Sequence, residues 1–298
     1  LAPSSFKPPS FARAPELHRC RQPVHDRTWR HLLPRIPGNA PNRPAESPRE
    51  LGGIEGTVLT NESVGDQFEA RNPGAVFEAY FTPEDPAAKA ELRLIDSVIA
   101  GVRADERVYP PGENPHKIHY AVYNLRSQKV IDRLIEAHKL GVDVRVLIEA
   151  DQISPERDWN TVDEQFEAAG LNVLRSDRDA SLESREASHL LGIDSNHLMH
   201  LKSRIYRTVD PSTGEPVEAV LSGSMNPGDG ASRNDENLNM IRDPRLVSLY
   251  EKKFEDVRRH ERTDNVWAAE RGMNVLFTPA KSGPRPIEKL FEWIDAEN

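Results

Sequence analysis

The chain has 298 residues, of which 37% are hydrophobic and 29% charged, and this composition excludes collagen-like and wholly disordered proteins. No apolar run is long enough to cross a bilayer, and the single cysteine, Cys20, excludes an intramolecular disulfide framework and a thiolate zinc site. Of the net charge of −9, residues 1–50 contribute +5, so residues 51–298 carry −14. Such an acidic body disfavours a large duplex nucleic-acid interface.

The first 74 residues are predicted to form a proline-rich, basic arm that is mostly irregular. Ten of the 24 prolines lie in residues 1–50, together with nine Lys or Arg and four Asp or Glu. A segment of this composition buries too little apolar surface to offset the entropy lost on folding. A folded cap made from the same residues is the alternative.

From residue 75 the sequence alternates between strand and helix patterns. The apolar spacing predicts, in chain order, strand 75–82, helix 86–101, strand 118–125, helix 127–141, strand 142–150, helix 161–169 and strand 171–176. The strand over 142–150 is almost continuously apolar, as a strand covered on both faces should be. The alternation predicts an α/β layered domain with a mixed, largely parallel central sheet and helices on both faces.

A repeat organises the chain as a whole. Residues 78–99 recur as residues 274–295, with Phe-Thr-Pro at 81–83 matching Phe-Thr-Pro at 277–279. At the same offset of 196 the apolar helix positions Leu94, Ile95 and Val98 coincide with Leu290, Phe291 and Ile294. Self-similarity of this kind predicts that a second copy of the strand–turn–helix unit begins near residue 274 and continues beyond residue 298.

Residues able to perform phosphoryl chemistry are concentrated between 197 and 241. His200 and Lys202 are two apart in a strand-like stretch, which predicts that both side chains project to one face. An imidazole can attack phosphorus or pass a proton, and an ammonium neutralises charge on phosphate oxygens. An isolated His-x-Lys would also suit a histidine buried in the core, and the residues that follow favour the chemical interpretation.

Two downstream segments add a hydroxyl, an amide and a carboxylate. Residues 223–226, Gly-Ser-Met-Asn, end a second strand and suit either close approach to a phosphate or a turn. Residues 234–237, Asn-Asp-Glu-Asn, open a third strand, where a carboxylate can hold the tautomer of the histidine. The candidate catalytic residues are therefore His200, Lys202 and Glu236, and the candidate substrate-binding residues are Ser224 and Asn226.

In combination these motifs resemble the phospholipase D superfamily, whose signature is HxK, an Asp after four residues, GSxN and then a glutamate. The resemblance covers residues 75–260 and implies a phospholipase D-like layered fold. It also implies a reaction in which one histidine attacks phosphorus to form a phosphohistidine. A second histidine protonates the leaving alcohol and then activates water, while lysine and asparagine bind the phosphate oxygens. No metal or other cofactor is expected.

One position departs from the signature, because Arg207 stands where the motif has Asp. The family's aspartate has a supporting role, so the departure leaves both a working site and a degenerate phosphate-binding module open. The resemblance also implies two histidine motifs, whereas this chain supplies one. The second is expected from a downstream repeat or from a homodimer.

These observations predict an arm over 1–74, a phospholipase D-like domain over 75–262 and the start of a second repeat over 274–298. The predicted activity is cleavage or transfer of a phosphodiester, most simply a phospholipid head group, with a nuclease as the alternative on the same site. The compartment stays open between cytoplasmic and secreted, with or without peripheral contact with a membrane.

Overall fold

The computed structural model describes residues 77–110, 112–154, 156, 159–194, 198–228, 230–268 and 273–296. The predicted N-terminal arm lies outside the described residues. The strands are β1 Phe77–Thr82, β2 Lys117–Val122, β3 Asp143–Glu149, β4 Val173–Leu174, β5 Leu190–Ile193, β6 Ser203–Val209, β7 Pro216–Gly223 and β8 Glu236–Ile241. The helices are α1 Ala87–Ala104, α2 Gln128–Lys139, α3 Val162–Ala168, α4 Leu182–Ala187, α5 Pro244–Arg258 and α6 Pro286–Ala296.

The eight strands form one mixed sheet in the order β1-β8-β7-β6-β2-β3-β5-β4. The half made of β2, β3, β5 and β4 is parallel, and every pairing from β2 through β6, β7 and β8 to β1 is antiparallel. The α/β class is therefore confirmed. Parallel pairing, which the sequence predicts for most of the sheet, is confined to one half, because the strands after β5 are joined by short turns rather than by crossover helices.

Helices cover the sheet on both faces, as predicted. On one face α1, α2 and α3 bury Ile95, Leu134 and Phe166 in a large apolar cluster. On the other face α5 buries Phe254 against Leu147 and neighbouring strand residues. Among the described residues no helix has the length and apolar character needed to span a bilayer.

The ends of the helices follow local chemistry. Helix α2 stops before Gly141, whose φ of 92° lies in the left-handed region that favours glycine. Helix α5 starts at Asp243, whose carboxylate accepts hydrogen bonds from the backbone N–H groups of Arg245 and Leu246. Ser127 occupies the cap position of α2 but makes no side-chain cap. Its N–H instead donates to the carbonyl of Pro227, which ties the start of α2 to the loop after β7.

The predicted second repeat is only partly regular. Helix α6 forms where the register of the first copy predicts it, whereas residues 274–279 are not in a strand. In the first copy β1 is held by its pairing with β8, and the second segment has one isolated bridge, from Ala280 to Thr263. Phe277 packs edge-on against Tyr250 of α5.

Candidate functional site

The ends of five strands meet along one side of the sheet, which we call the site edge and which is distinct from the outermost strands β1 and β4. Ser203, the first residue of β6, lies opposite Ala121 near the end of β2 and Ser222 near the end of β7. Gly223 of β7 lies opposite Leu238 near the start of β8. The end of β3 joins the same edge because β3 runs parallel to β2. The loops that carry the predicted site residues are therefore gathered at one place, which local sequence pattern alone does not establish.

His200 and Lys202 lie in the loop before β6, not in the strand where the sequence places them. The strand begins only at Ser203, where backbone partners on both sides become available. His200 is exposed, whereas Lys202 is 6% exposed. The Lys202 ammonium turns back and donates a hydrogen bond to the carbonyl of His200 at 3.0 Å. A hydrogen bond within the loop thus joins the two motif residues, although neither belongs to a strand.

Burial and neighbouring charges set the protonation of both residues. Burial lowers the pKa of Lys202 to about 8, with the carboxylate of Glu236 acting to raise it and the nearby Arg204 acting to lower it. Burial, followed by the charge of Lys202, lowers the pKa of His200 below its usual value. At neutral pH the site therefore holds a neutral imidazole beside a charged ammonium, the combination that nucleophilic attack on a phosphodiester requires.

Glu236, which the sequence predicts to act on the histidine, lies at the start of β8. Its carboxylate acts electrostatically on Lys202. Within the described part of the chain no hydrogen bond joins it to His200. Its backbone is held by the edge strand, since its N–H donates to the hydroxyl of Thr82 at 3.2 Å. The charge of this carboxylate thus acts on the ammonium, and its predicted action on the histidine tautomer stays a prediction.

The Gly-Ser-Met-Asn segment lies at the same edge. The backbone N–H of Ser224 donates to the side-chain carbonyl of Asn237 at 2.9 Å, and the Ser224 hydroxyl accepts from the Asn237 N–H at 3.0 Å. The side-chain oxygen of Asn226 is buried and has no hydrogen-bond partner. Gly223 has no room for a side chain, because a Cβ there would lie 2.2 Å from the carbonyl oxygen of Asn237. Because an amide oxygen only accepts hydrogen bonds, a phosphate at this loop would be held by the side-chain N–H groups of Asn226 and not by its oxygen.

Three site residues were not predicted from the sequence: Tyr123, Glu149 and Gln152. The ring of Tyr123 lies 5.0 Å from the imidazole of His200. The carboxylate of Glu149 accepts a hydrogen bond at 2.6 Å from the backbone N–H of Met199, which precedes His200. The side chain of Gln152 binds the hydroxyl of Tyr123. All three follow or end β2 and β3, and the carboxyl ends of parallel strands are the signal that could have identified them.

Arg207, at the position of the signature aspartate, lies away from this edge. It is the fifth residue of β6, opposite Lys117 and Glu218, about 13 Å along the strand from Ser203 at the usual rise. Its guanidinium is 3.5 Å from Glu218 and 3.8 Å from Glu251 of α5. The substitution therefore changes the ion pairs beneath α5 and leaves the surroundings of His200 unaltered.

One group of side chains in the described residues has the composition of a metal site, but it lies beneath α5. The ligand atoms of His119, Glu251 and Glu255 lie within 4.8 Å of one another. Each is already paired: His119 with Glu251 at 2.7 Å, and Glu255 with Arg258 at 2.5 Å. These pairs account for the cluster as a network of charges that stabilises the packing of α5.

Comparison with known proteins gives one family match. The family profile described as "Cardiolipin synthase, PLD-like domain" matches residues 113–258. No curated protein matches the chain.

Several solved structures are similar. The phospholipase D family member Nuc from Salmonella typhimurium shares 18% identity at a TM-score of 0.40, over 62% of this chain and 94% of Nuc. NucT from Helicobacter pylori shares 13% identity at a TM-score of 0.36, over 61% of this chain and 95% of NucT. Polyphosphate kinase from Porphyromonas gingivalis shares 13% identity at a TM-score of 0.36, over 75% of this chain and 28% of the kinase.

Proposed function

Since this chain belongs to the phospholipase D superfamily of phosphodiesterases, we propose that it cleaves or transfers a phospholipid head group through a phosphohistidine on His200. The observation that carries the proposal is the exposed imidazole of His200, with a lowered pKa, on a residue whose backbone carbonyl accepts a hydrogen bond from the ammonium of Lys202. Asn226, whose side-chain N–H groups can donate to phosphate oxygens, and Ser224 lie on the neighbouring loop. These are the groups that attack on phosphorus needs.

In the first step a ring nitrogen of His200 attacks phosphorus, and the bond from phosphorus to the head-group oxygen breaks. The departing oxygen takes a proton from a general acid, which the family mechanism assigns to a second histidine. In the second step water or an alcohol gives its proton to that same base and attacks phosphorus, releasing His200. Lys202 and Asn226 hold the phosphate oxygens, where the charge of the ammonium is effective because the site is partly desolvated.

The second histidine is proposed to come from a second α/β unit, supplied by a downstream repeat or by a second copy of the chain. The register of α6 supports a repeat, because Leu290, Phe291 and Ile294 match three residues of α1 that lie in the core. In α6 these side chains are about half exposed. A helix with an apolar face of this kind is typical of an element that packs against a sheet.

The lipid substrate is supported by apolar side chains near the site edge. Leu198, two residues before His200, is 61% exposed, and Trp159 is 48% exposed beside Arg126. Asn160, next to Trp159, donates to the carbonyl of Gln152, which fixes that loop beside the site. Exposed apolar side chains around a polar site suit a substrate that has acyl chains next to its phosphate. The net charge of −14 over residues 51–298 works against a polyanionic substrate.

The test is turnover by the protein on three substrates: phosphatidylglycerol in vesicles, a single-stranded DNA oligonucleotide and bis(p-nitrophenyl) phosphate. We expect release of the lipid head group, its loss in His200→Ala, and unchanged activity in the control His138→Gln on α2. Full turnover by His200→Ala with native thermal stability would contradict the assignment. DNA cleavage that depends on His200, without lipid cleavage, would leave a phosphodiesterase and make the nuclease alternative correct.

A further inference from the structure

The ring of Tyr123 contacts both motif residues at once. Its centroid lies 5.0 Å from that of the His200 imidazole, with the planes tilted by 58°. The ammonium of Lys202 lies 5.5 Å from the same centroid, within the range of a cation–π contact. Tyr123 directly follows β2, so its backbone is fixed by the sheet. The residue therefore connects a rigid strand end to the two side chains of a loop.

Tyr123 is itself held by a buried amide. The side-chain N–H of Gln152 donates to the Tyr123 hydroxyl at 3.1 Å, and the Gln152 side-chain oxygen accepts from the amide of Asn124 at 3.1 Å. Gln152 is 3% exposed, and its carbonyl accepts from the buried Asn160 at 2.7 Å. Gln152 lies in a single 3-10 turn that continues from the end of β3. The two parallel strands β2 and β3 thus jointly fix the orientation of the ring.

We propose that Tyr123 is a positioning residue, which holds the imidazole of His200 and the ammonium of Lys202 in their relative geometry under the control of Gln152. The need for such a residue follows from the loop: His200 and Lys202 precede β6, and Lys202 is tied to β7 only by a long hydrogen bond of 3.4 Å from the Gly223 N–H to its carbonyl. A catalytic group held to within a fraction of an ångström is effective, and a misplacement of about 1 Å can lower the rate about 100-fold. The effect on turnover rests on the proposed function, whereas the effect on geometry does not.

The turnover of a set of variants separates the effect of the Tyr123 ring from the effect of its hydrogen bond to Gln152. Tyr123→Leu removes the aromatic face, and we expect kcat to fall roughly 10- to 100-fold with little change in KM. Tyr123→Phe keeps the face and should restore most of kcat, leaving a loss of about 5-fold from the missing hydrogen bond. Gln152→Met removes the bond to Tyr123 and also the one that Gln152 accepts from Asn124, so it should lose at least as much kcat as Tyr123→Phe. The double variant should be no worse than Gln152→Met alone, because the bond to Tyr123 is already absent there.

Tyr109→Leu is the matched control. This tyrosine is also half-buried, packs edge-on near a histidine and donates its hydroxyl to a carboxylate, Asp105. It lies between α1 and β2, at the other end of β2 from the site. We expect turnover to be unchanged in this variant. Thermal unfolding of each variant shows whether a loss of activity reflects loss of the fold.

A second measurement is independent of turnover. The imidazole carbon-bound protons of His200, to be assigned from their absence in His200→Ala, should be shifted by the ring current of a tyrosine whose centroid is 5.0 Å away. We expect the NMR resonance to move in Tyr123→Leu, to stay in Tyr123→Phe and Tyr109→Leu, and to broaden where the imidazole becomes mobile. Wild-type protein without turnover would contradict the proposed function alone. An unmoved resonance, or a moved one with unchanged kcat, would overturn the positioning role.

Discussion

Arg204 and Glu91 form an ion pair that is wholly enclosed by the protein, with side chains that are 0% and 1% exposed and a distance of 3.0 Å from Nε to Oε1. The hydroxyl of Tyr120 donates to the same carboxylate oxygen, and the two terminal nitrogens of Arg204 have no partner. The pair joins α1 to β6 two residues after Lys202. A charge enclosed in this way depends entirely on its partner.

Removing one member of this pair should destabilise the protein strongly. We expect Glu91→Leu to lower the free energy of unfolding by about 3–5 kcal/mol, because it leaves the Arg204 guanidinium buried and unpaired. The double variant Glu91→Leu/Arg204→Met should recover most of that loss. Urea unfolding of the wild-type, single and double variants measures both quantities. A loss below about 1 kcal/mol in the single variant would show that the guanidinium finds water or another partner.

The activity should decline above about pH 8. Burial lowers the pKa of Lys202 to about 8, so the ammonium that we propose binds phosphate loses its proton as the pH rises through that value. The lowered pKa of His200 places the acid limb below about pH 6.5, where the nucleophile becomes protonated. The profile of kcat/KM against pH measures both limbs. In Lys202→Arg the alkaline limb should disappear whatever activity remains, and its persistence would assign it to another group.

Replacing Glu236 by Gln should move the alkaline limb to lower pH. The carboxylate of Glu236 raises the pKa of Lys202. The neutral amide of glutamine lacks this effect, so the pKa of Lys202 should fall further. At pH 7 the loss of kcat/KM should be smaller than in His200→Ala, because the nucleophile is retained. A loss as severe as that of His200→Ala, without movement of the limb, would indicate that Glu236 acts on the histidine instead.

His119 should make the stability depend on pH. Burial acts to lower the pKa of this histidine, but the carboxylates of Asp143 and Glu251 outweigh it and hold the pKa above its ordinary value. The folded state therefore binds the proton more tightly than the unfolded state. The resulting stabilisation is complete below about pH 6.5 and is lost as the pH rises through the raised pKa.

Urea unfolding between pH 5.5 and 9 tests whether the stabilisation from His119 decreases as the pH rises. The difference in unfolding free energy between the wild type and His119→Gln should shrink as the pH rises. Subtracting the variant removes the contributions of His138 and His189, whose pKa values are lowered and whose effects run in the opposite direction. A difference that grows with pH would mean that His119 is buried in its neutral form.

The two copies of the repeat should respond differently to the same substitution. Ile95 is fully buried, whereas Phe291, its counterpart 196 residues later, is 57% exposed. We expect Ile95→Asp to lower the free energy of unfolding by more than about 4 kcal/mol and Phe291→Asp to change it by less than about 0.5 kcal/mol. Thermal and urea unfolding of both variants provide the measurement. Equal losses would show that the face of α6 is covered in solution.

Much of the fold was predictable because its elements have clear periodicity. Helix 86–101 was predicted from its apolar stripe and is found as Ala87–Ala104, and strand 142–150 is found as Asp143–Glu149. The strand Leu190–Ile193 was not predicted, because an apolar run of only four residues is too short to be assigned to a strand by its pattern. Strand 171–176 is reduced to Val173–Leu174 at the sheet edge, where it has one neighbour.

The site was predictable only as far as its motif residues. His200, Lys202 and Glu236 were identified by type and spacing, and the structure brings their segments to one edge. The contact of Tyr123 with His200 joins residues 77 positions apart, and it exists because β6 pairs antiparallel with β2. Strand order is a property of the whole chain, so no local pattern contains it.

The pairing of β1 with β8 has a consequence for how the protein is made. Strand β1 cannot pair until β8 has been synthesised, because Thr82 and Glu236 face each other across the ladder and are separated by 154 residues. During synthesis β1 leaves the ribosome long before its partner exists, and closing so large a loop is slow. Glu236 is anchored by Thr82, so the candidate site is completed only when this last ladder forms. Nascent chains lacking β8 would present β1 as an unpaired edge strand, the form in which a chaperone or a neighbouring chain would meet it.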